Sequence, residues 1–249
     1  MGSGVTDLAE LSTSGILSGI AAQQRTLPVL PAFDALLPSA VVQRGSVIGC
    51  EGAAAVSLAL ALAAGPSQAG SWVGVAGLPQ VGLAAAVELG VEPQRLVMVS
   101  QPAQRFDEAR WGEVLAAMID GFDVVVVGPE AQGVRAATAR RLLARVQSHG
   151  AVLLTVAAPL AGPSAEAGGG PFGADLRMEA TEVAWEGLGD GHGVARGRHA
   201  EVHLSGRRVP RPRRAELWLP GPDGTVEPVA PATVPAAVPG PAITLERAG

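Results

Sequence analysis

The chain has 249 residues, 48% of them apolar, with 23 acidic against 18 basic residues and a formal net charge of −5. That length carries one large α/β domain or two small ones, and the acid excess argues against a wholesale nucleic-acid coat while leaving room for a local basic patch. A single cysteine, Cys50, excludes an internal disulfide; with no lysine in the chain, Schiff bases and lysine-dependent phosphate transfer are excluded too.

Residues 1–44 read as an irregular N-terminal extension. Leu8, Leu11, Leu17 and Ile20 have roughly helical spacing, interrupted by Gly15 and Gly19, and form a candidate segment for partner binding or self-association. Pro28, Pro31 and Pro38 then bracket a short apolar turn with Phe33, Leu36 and Leu37. From Gly45 strands and helices alternate. Strands are predicted at Ser46–Gly49, Ser71–Ala76, Arg95–Ser100, Asp123–Gly128 and Ala151–Val156. Helices are predicted at Ala53–Ala64, near Val81–Leu89, and at Phe106–Ile119 and Val134–Ser148. The four valines from Val124 fit a strand buried on both faces. In the last helix Val134, Leu142, Leu143 and Val146 face inward, and Arg135, Arg140, Arg141 and Arg145 outward. This alternation predicts a mostly parallel sheet flanked by helices.

The pattern then changes. Pro159–Gly173 is a small-residue loop, and Leu176, Met178 and Ala180, then Val183 and Trp185, alternate with polar residues. Gly187–Gly197 reads as a turn, and Ala200–Ser205 and Glu216–Leu219 as further, hairpin-type strands. From Pro220 the prolines at 222, 228, 231, 235, 239 and 241 predict a disordered tail to residue 249, with Ile243-Thr244-Leu245-Glu246 as a possible tethered motif. No stretch approaches the ~20 apolar residues that a bilayer demands, and the N-terminus does not read as a secretory signal, so the expected compartment is cytosolic.

A phosphate loop belongs between a strand and a helix. Here that stretch is Gly49-Cys50-Glu51-Gly52-Ala53-Ala54-Ala55-Val56-Ser57. It resembles the loop of the RecA recombinase family, G-x-x-x-x-G-K-[ST], at Gly49 and in the acidic Glu51. Ala54 stands for the second glycine, Ala55 for the lysine and Val56 for the magnesium-binding hydroxyl residue, so the phosphate charge and the metal both lose their protein partner. Ser57 is one place late, and a helix rotates it about 100° away. In the RecA pattern the water-activating glutamate falls near Gly77. The aspartate that ends the Walker-B strand falls on Gly128, with Asp123 at the wrong end and Glu130 beyond Pro129.

The segment from Val91 to Pro102, with R-L-V-M-V-S-Q-P, is similar to the RecA strand ending S-Q-P. Ala174–Glu179, Trp185-Glu186-Gly187 and Arg198–Pro212 resemble the hairpin that completes that core. Residues 45–219 thereby resemble a RecA-like domain: α/β, a mostly parallel central sheet flanked by helices, with C-terminal antiparallel hairpin strands. Within that superfamily the degenerate loop and the stretch A-D-L-R-M-E…W-E-G-L-G-D-G-H-G resemble the ImuA-type accessory proteins of the bacterial mutasome. The resemblance implies a non-catalytic adaptor in damage-induced translesion synthesis, without cofactor. Its partners would be an inactive Y-family-like polymerase protein (ImuB-type) and, indirectly, an error-prone C-family polymerase, with recruitment to the nucleoid on damage. The alternative is a SulA-like division inhibitor acting by protein binding.

Arg196, Arg198, Arg207, Arg208, Arg211, Arg213 and Arg214 form the one dense basic region. They fit contacts to single-stranded DNA phosphates and equally a charged hairpin edge protected from aggregation. His199 and His203 share a face of a strand, but no further ligands complete a metal site. Cys50 has no activating neighbour and is expected to be inert.

Overall fold

The computed structural model describes residues 25–37, 40–101, 105–157, 170–189 and 192–229. Leu8, Leu11, Leu17, Ile20 and the Ile243–Glu246 motif lie outside them. The molecule is α/β, built on a mixed nine-stranded sheet. Its parallel half contains β3 (Val47–Gly52), β4 (Val73–Ala76), β5 (Leu96–Val99), β6 (Val124–Val127) and β7 (Val152–Val156). The antiparallel half comprises β8 (Leu176–Gly189), β9 (His192–Gly206), β10 (Arg213–Trp218) and β11 (Glu227–Pro228). The spatial order is β5-β4-β6-β7-β3-β8-β9-β10-β11. The strand that leads into the 49–57 loop therefore lies mid-sheet, parallel to both β7 and β8.

Helices cover both faces of the parallel half. Residues Ala55–Gln68 form α1 and Leu83–Glu88 form α2, on one side; Glu108–Gly121 form α3 and Ala136–His149 form α4, on the other. Buried on both faces, β6 can be valine throughout. The α1 helix is apolar almost all round because a third layer lies over it. Strands β1 (Thr26–Pro28) and β2 (Val41–Gln43) pair antiparallel, and Leu27, Val29, Phe33, Leu36, Leu37 and Val42 join the α1 side of the core. Residues 25–37 and 40–44, irregular by sequence, are thus ordered by packing; three-residue strands are too short to show a period.

The antiparallel half is covered on that side alone. Met178, Ala180, Ala200, Val202, Leu204 and Leu217 pack toward α1, while Glu179, Glu201, His203, Arg214 and Glu216 alternate onto the outer face. Two expectations need correction here. Gly187–Gly197 is not a turn: β8 and β9 run through it, paired to Gly189 and His192. A Cβ on Gly187 would stand 2.2 Å from the Val194 carbonyl oxygen, and one on Gly193 equally close to that of Gly187. The glycines bring the two backbones together rather than ending the strands. The proline-rich segment does not leave the fold at Pro220 either. Its residues 221–229 turn back, Glu227–Pro228 pairs with Leu217–Trp218, and the Val229 N–H donates to the Glu216 carbonyl. Pro228 is tolerated because β11 is an edge strand with no neighbour needing its N–H. No helix among the described residues is long and apolar enough to cross a membrane.

Candidate functional site

The 49–57 loop begins inside the sheet. The predicted strand stops at Gly49, but β3 continues through Cys50, Glu51 and Gly52, which pair with Met178, Glu179 and Ala180 of β8. Ala54 is the N-cap of α1 without a side-chain bond, no acidic residue lies in the first turn, and Ala54 and Ala55 are both buried while Val56 is half-buried. Alternation along β3 sends Cys50 into the core on the α1 side and Gly49 and Glu51 to the opposite face. Glu51 thus points away from the helix N-terminus that a bound phosphate would use. There its Oε1 lies 3.0 Å from Arg177 Nε, close but not aligned as a hydrogen bond. Burial pushes the Glu51 carboxyl above the usual carboxylate range; Arg177 opposes the rise and Glu179 adds to it. Nearby, the buried Thr155 hydroxyl has no hydrogen-bond partner. Cys50, wholly buried, has its thiol pushed far up by desolvation and by Glu51.

The ends of β4 and β6, where the RecA pattern needs two carboxylates, are closed. A Cβ on Gly128 would stand 2.2 Å from the Gly77 carbonyl oxygen and 2.3 Å from Leu78 Cγ. One on Gly77 would stand 2.6 Å from the Ala131 nitrogen. The Gly128 N–H donates to the Ala76 carbonyl, tying β6 to β4, and the Gln132 amide donates to the carbonyls of Val127 and Val156, tying the ends of β6 and β7. Asp123, at the other end of β6, pairs with Arg44 at 2.8 Å and accepts from the Trp72 N–H. Gln101 reaches Glu130. Gln132 went unnoticed in the sequence, since an isolated glutamine between strands carries no pattern.

The seven arginines do not form one patch. Arg207, Arg208, Arg211, Arg213 and Arg214 surround the β9–β10 turn, with Arg207 and Arg208 near Asp175, Arg213 on the Leu36 carbonyl and Arg214 near Glu201. Arg196 and Arg198 lie toward the other end of β9; Arg198 is about 20 Å along the strand from the position of Arg213, which pairs with Leu204. Arg198 bonds Ser57 in the first turn of α1 and the Leu219 carbonyl, and its guanidinium stacks 5.2 Å from the Trp185 ring centroid. Desolvation lowers its pKa from the ordinary arginine value. His199 pairs with Glu216 and His203 with Glu201, so each has a separate carboxylate; no cluster able to hold a metal ion occurs among the described residues.

Residues 35–162 match the family described as the MT3502 N-terminal domain, slightly more than half the chain. The chain is also 33% identical over 170 residues to the uncharacterized protein Rv3395c of Mycobacterium tuberculosis, covering 68% of this chain and 78% of that one. On both counts the chain belongs to the MT3502 N-terminal domain family.

Proposed function

We propose that this protein is a RecA-like, ImuA-type accessory factor that works by binding partners in translesion synthesis rather than by turning over ATP. The observation that carries the reading is the closure of Gly128 by Gly77 and Leu78 and of Gly77 by Ala131, at the two positions where an ATPase of that pattern holds its water-activating and metal-binding carboxylates. The strand order supports the RecA-like part. The loop strand β3 sits between β7 and β8, and the strand bearing the Walker-B position lies between β4 and β7. The mycobacterial relative fits an actinobacterial family of this kind. In this reading the Y-family-like polymerase protein is the direct partner, the C-family polymerase is reached through it, and single-stranded DNA phosphates meet the arginines of the β9–β10 turn.

The test is nuclease-treated co-purification with the Y-family-like protein from the same genome. A stable complex is expected. Absence of one, with both proteins folded, would overturn the mutasome role, and appreciable ATP turnover by the purified native protein would overturn the non-catalytic one.

A further inference from the structure

The parallel strands all start at one end of the sheet, the end away from the 49–57 loop. The β9–β10 turn lies there too, because β9 runs antiparallel to β8 and finishes with Gly206 opposite Leu176. Side chains at these strand starts are joined to one another along the edge. Arg95, just ahead of β5, lies over one face of Trp72, just ahead of β4, 5.3 Å from the ring centroid. Asp123, just ahead of β6, accepts from the Trp72 N–H and pairs with Arg44, which also donates to the Gly150 carbonyl at the end of α4. Gln43, beside Arg44, accepts from Arg208 of the β9–β10 turn at 2.6 Å. From β5 to β10 the edge is roughly 30 Å long at the spacing of neighbouring strands.

Shape and charge state what this edge takes. A cleft of about 510 Å³ opens in its middle, lined by Arg25, Gln43, Arg44, Gln147, Ser148 and His149. Arg145 and Arg214 are matched by Asp120 and Glu201. Arg25, Arg44, Arg95 and the four other arginines of the turn then stand against Asp34, Glu88, Glu92, Asp123 and Asp175, so the edge is positive in a chain of net charge −5. Asp123 and Asp175 are turned inward, each accepting a backbone N–H, from Trp72 and Val47. The arginines point out: Arg207 is 78% exposed, and Arg25 and Arg211 are exposed without an ion pair among the described residues. Trp72 itself is 41% exposed. An exposed aromatic ring in line with arginines suits a single strand, whose bases stack on the ring while its phosphates meet the cations. A duplex keeps its bases inside and has no use for the ring.

We propose that single-stranded nucleic acid runs along this edge, from the β9–β10 turn through the Arg25–Arg44 cleft to Trp72; this rests on the DNA contact proposed above and extends it. The experiment is fluorescence anisotropy of labelled oligothymidylate with the full-length chain over a range of salt concentrations. The native protein is compared with Arg25→Ala, Trp72→Ala, Trp72→Phe and, in the turn, Arg211→Ala. Arg110→Ala, near the start of α3 at the opposite end of the sheet, serves as control, and melting curves check that each variant is folded. Arg25→Ala and Trp72→Ala should each weaken binding about fivefold or more, and Arg110→Ala should not. Arg25→Ala should also lower the slope of log K against log salt by about 0.7, whereas Trp72→Ala should leave the slope unchanged and Trp72→Phe should keep most of the affinity. Weakening by Arg211→Ala alone would confine the contact to the turn, overturning the track and leaving the contact proposed above intact. Absence of native binding would overturn both. A duplex bound as tightly as the single strand, with Trp72→Ala without effect, would overturn the stacking on Trp72 and with it the single-strand track.

Discussion

At the residue scale the informative positions are those where a side chain has no room. Placing a carboxylate at Gly128 should destabilise the protein rather than give it ATP turnover. Gly128→Asp, and even Gly128→Ala, drives a Cβ into the Gly77 carbonyl and Leu78. Overpacking against backbone of this kind costs about 2 kcal/mol or more, readable as a lowered urea midpoint. Ala55→Lys places an ammonium in a buried site and is expected to yield no ATP turnover above background. Cys50, shielded and with its thiol pushed far up, should resist Ellman's reagent at pH 8 until denaturant is added; rapid labelling of the folded chain would contradict its burial. Glu51 makes a signed prediction. Its folded pKa is raised, so between the ordinary carboxylate range and that value the folded state binds more protons than the unfolded one. Stability therefore falls as pH rises through that window. Glu51→Gln should flatten this slope in melting temperatures across weakly acidic pH; an unchanged slope would remove Glu51 as its source.

At the scale of elements, legibility followed periodicity. The valine run of β6 and the arginine-faced α4 were plain in the sequence because each repeats one period over its whole length. The helix α3 begins at Glu108, two residues after the predicted start at Phe106, because Asp107 caps it. The Asp107 side chain accepts from the Arg110 N–H at 2.8 Å. Asp107→Ala should cost about 1 kcal/mol in chemical denaturation. The run of β8 and β9 through this stretch was hidden because five glycines between 187 and 197 look like a turn. Glycine also occurs where two strands approach too closely for side chains, and nothing local distinguishes the two uses. The candidate site suffered similarly. That Ala55, Gly77 and Gly128 stand where the RecA pattern has a lysine and two carboxylates could be read from the sequence, but the closure of Gly77 and Gly128 depends on residues brought together by the fold.

At the scale of the whole molecule, the ends of the folded unit are set by packing that composition does not reveal. Leu27, Phe33, Leu36 and Val42 are buried over α1 although their segment looks irregular, and Leu219 is buried at the start of the proline-rich stretch. A chain begun at residue 45 should be insoluble or melt far below one begun at 25. A chain ended at 219 should melt below one ended at 229, which keeps β11 and the Arg198 N–H to Pro220 carbonyl bond. Equal melting temperatures within either pair would show that the outer segments add nothing. The place of β3 has a consequence for synthesis. It is made early, yet its neighbours β7 and β8 are encoded roughly a hundred residues later. While the ribosome is still producing them, an apolar strand with both edges open must wait, so nascent chains stalled before residue 180 are the ones that chaperones should hold longest.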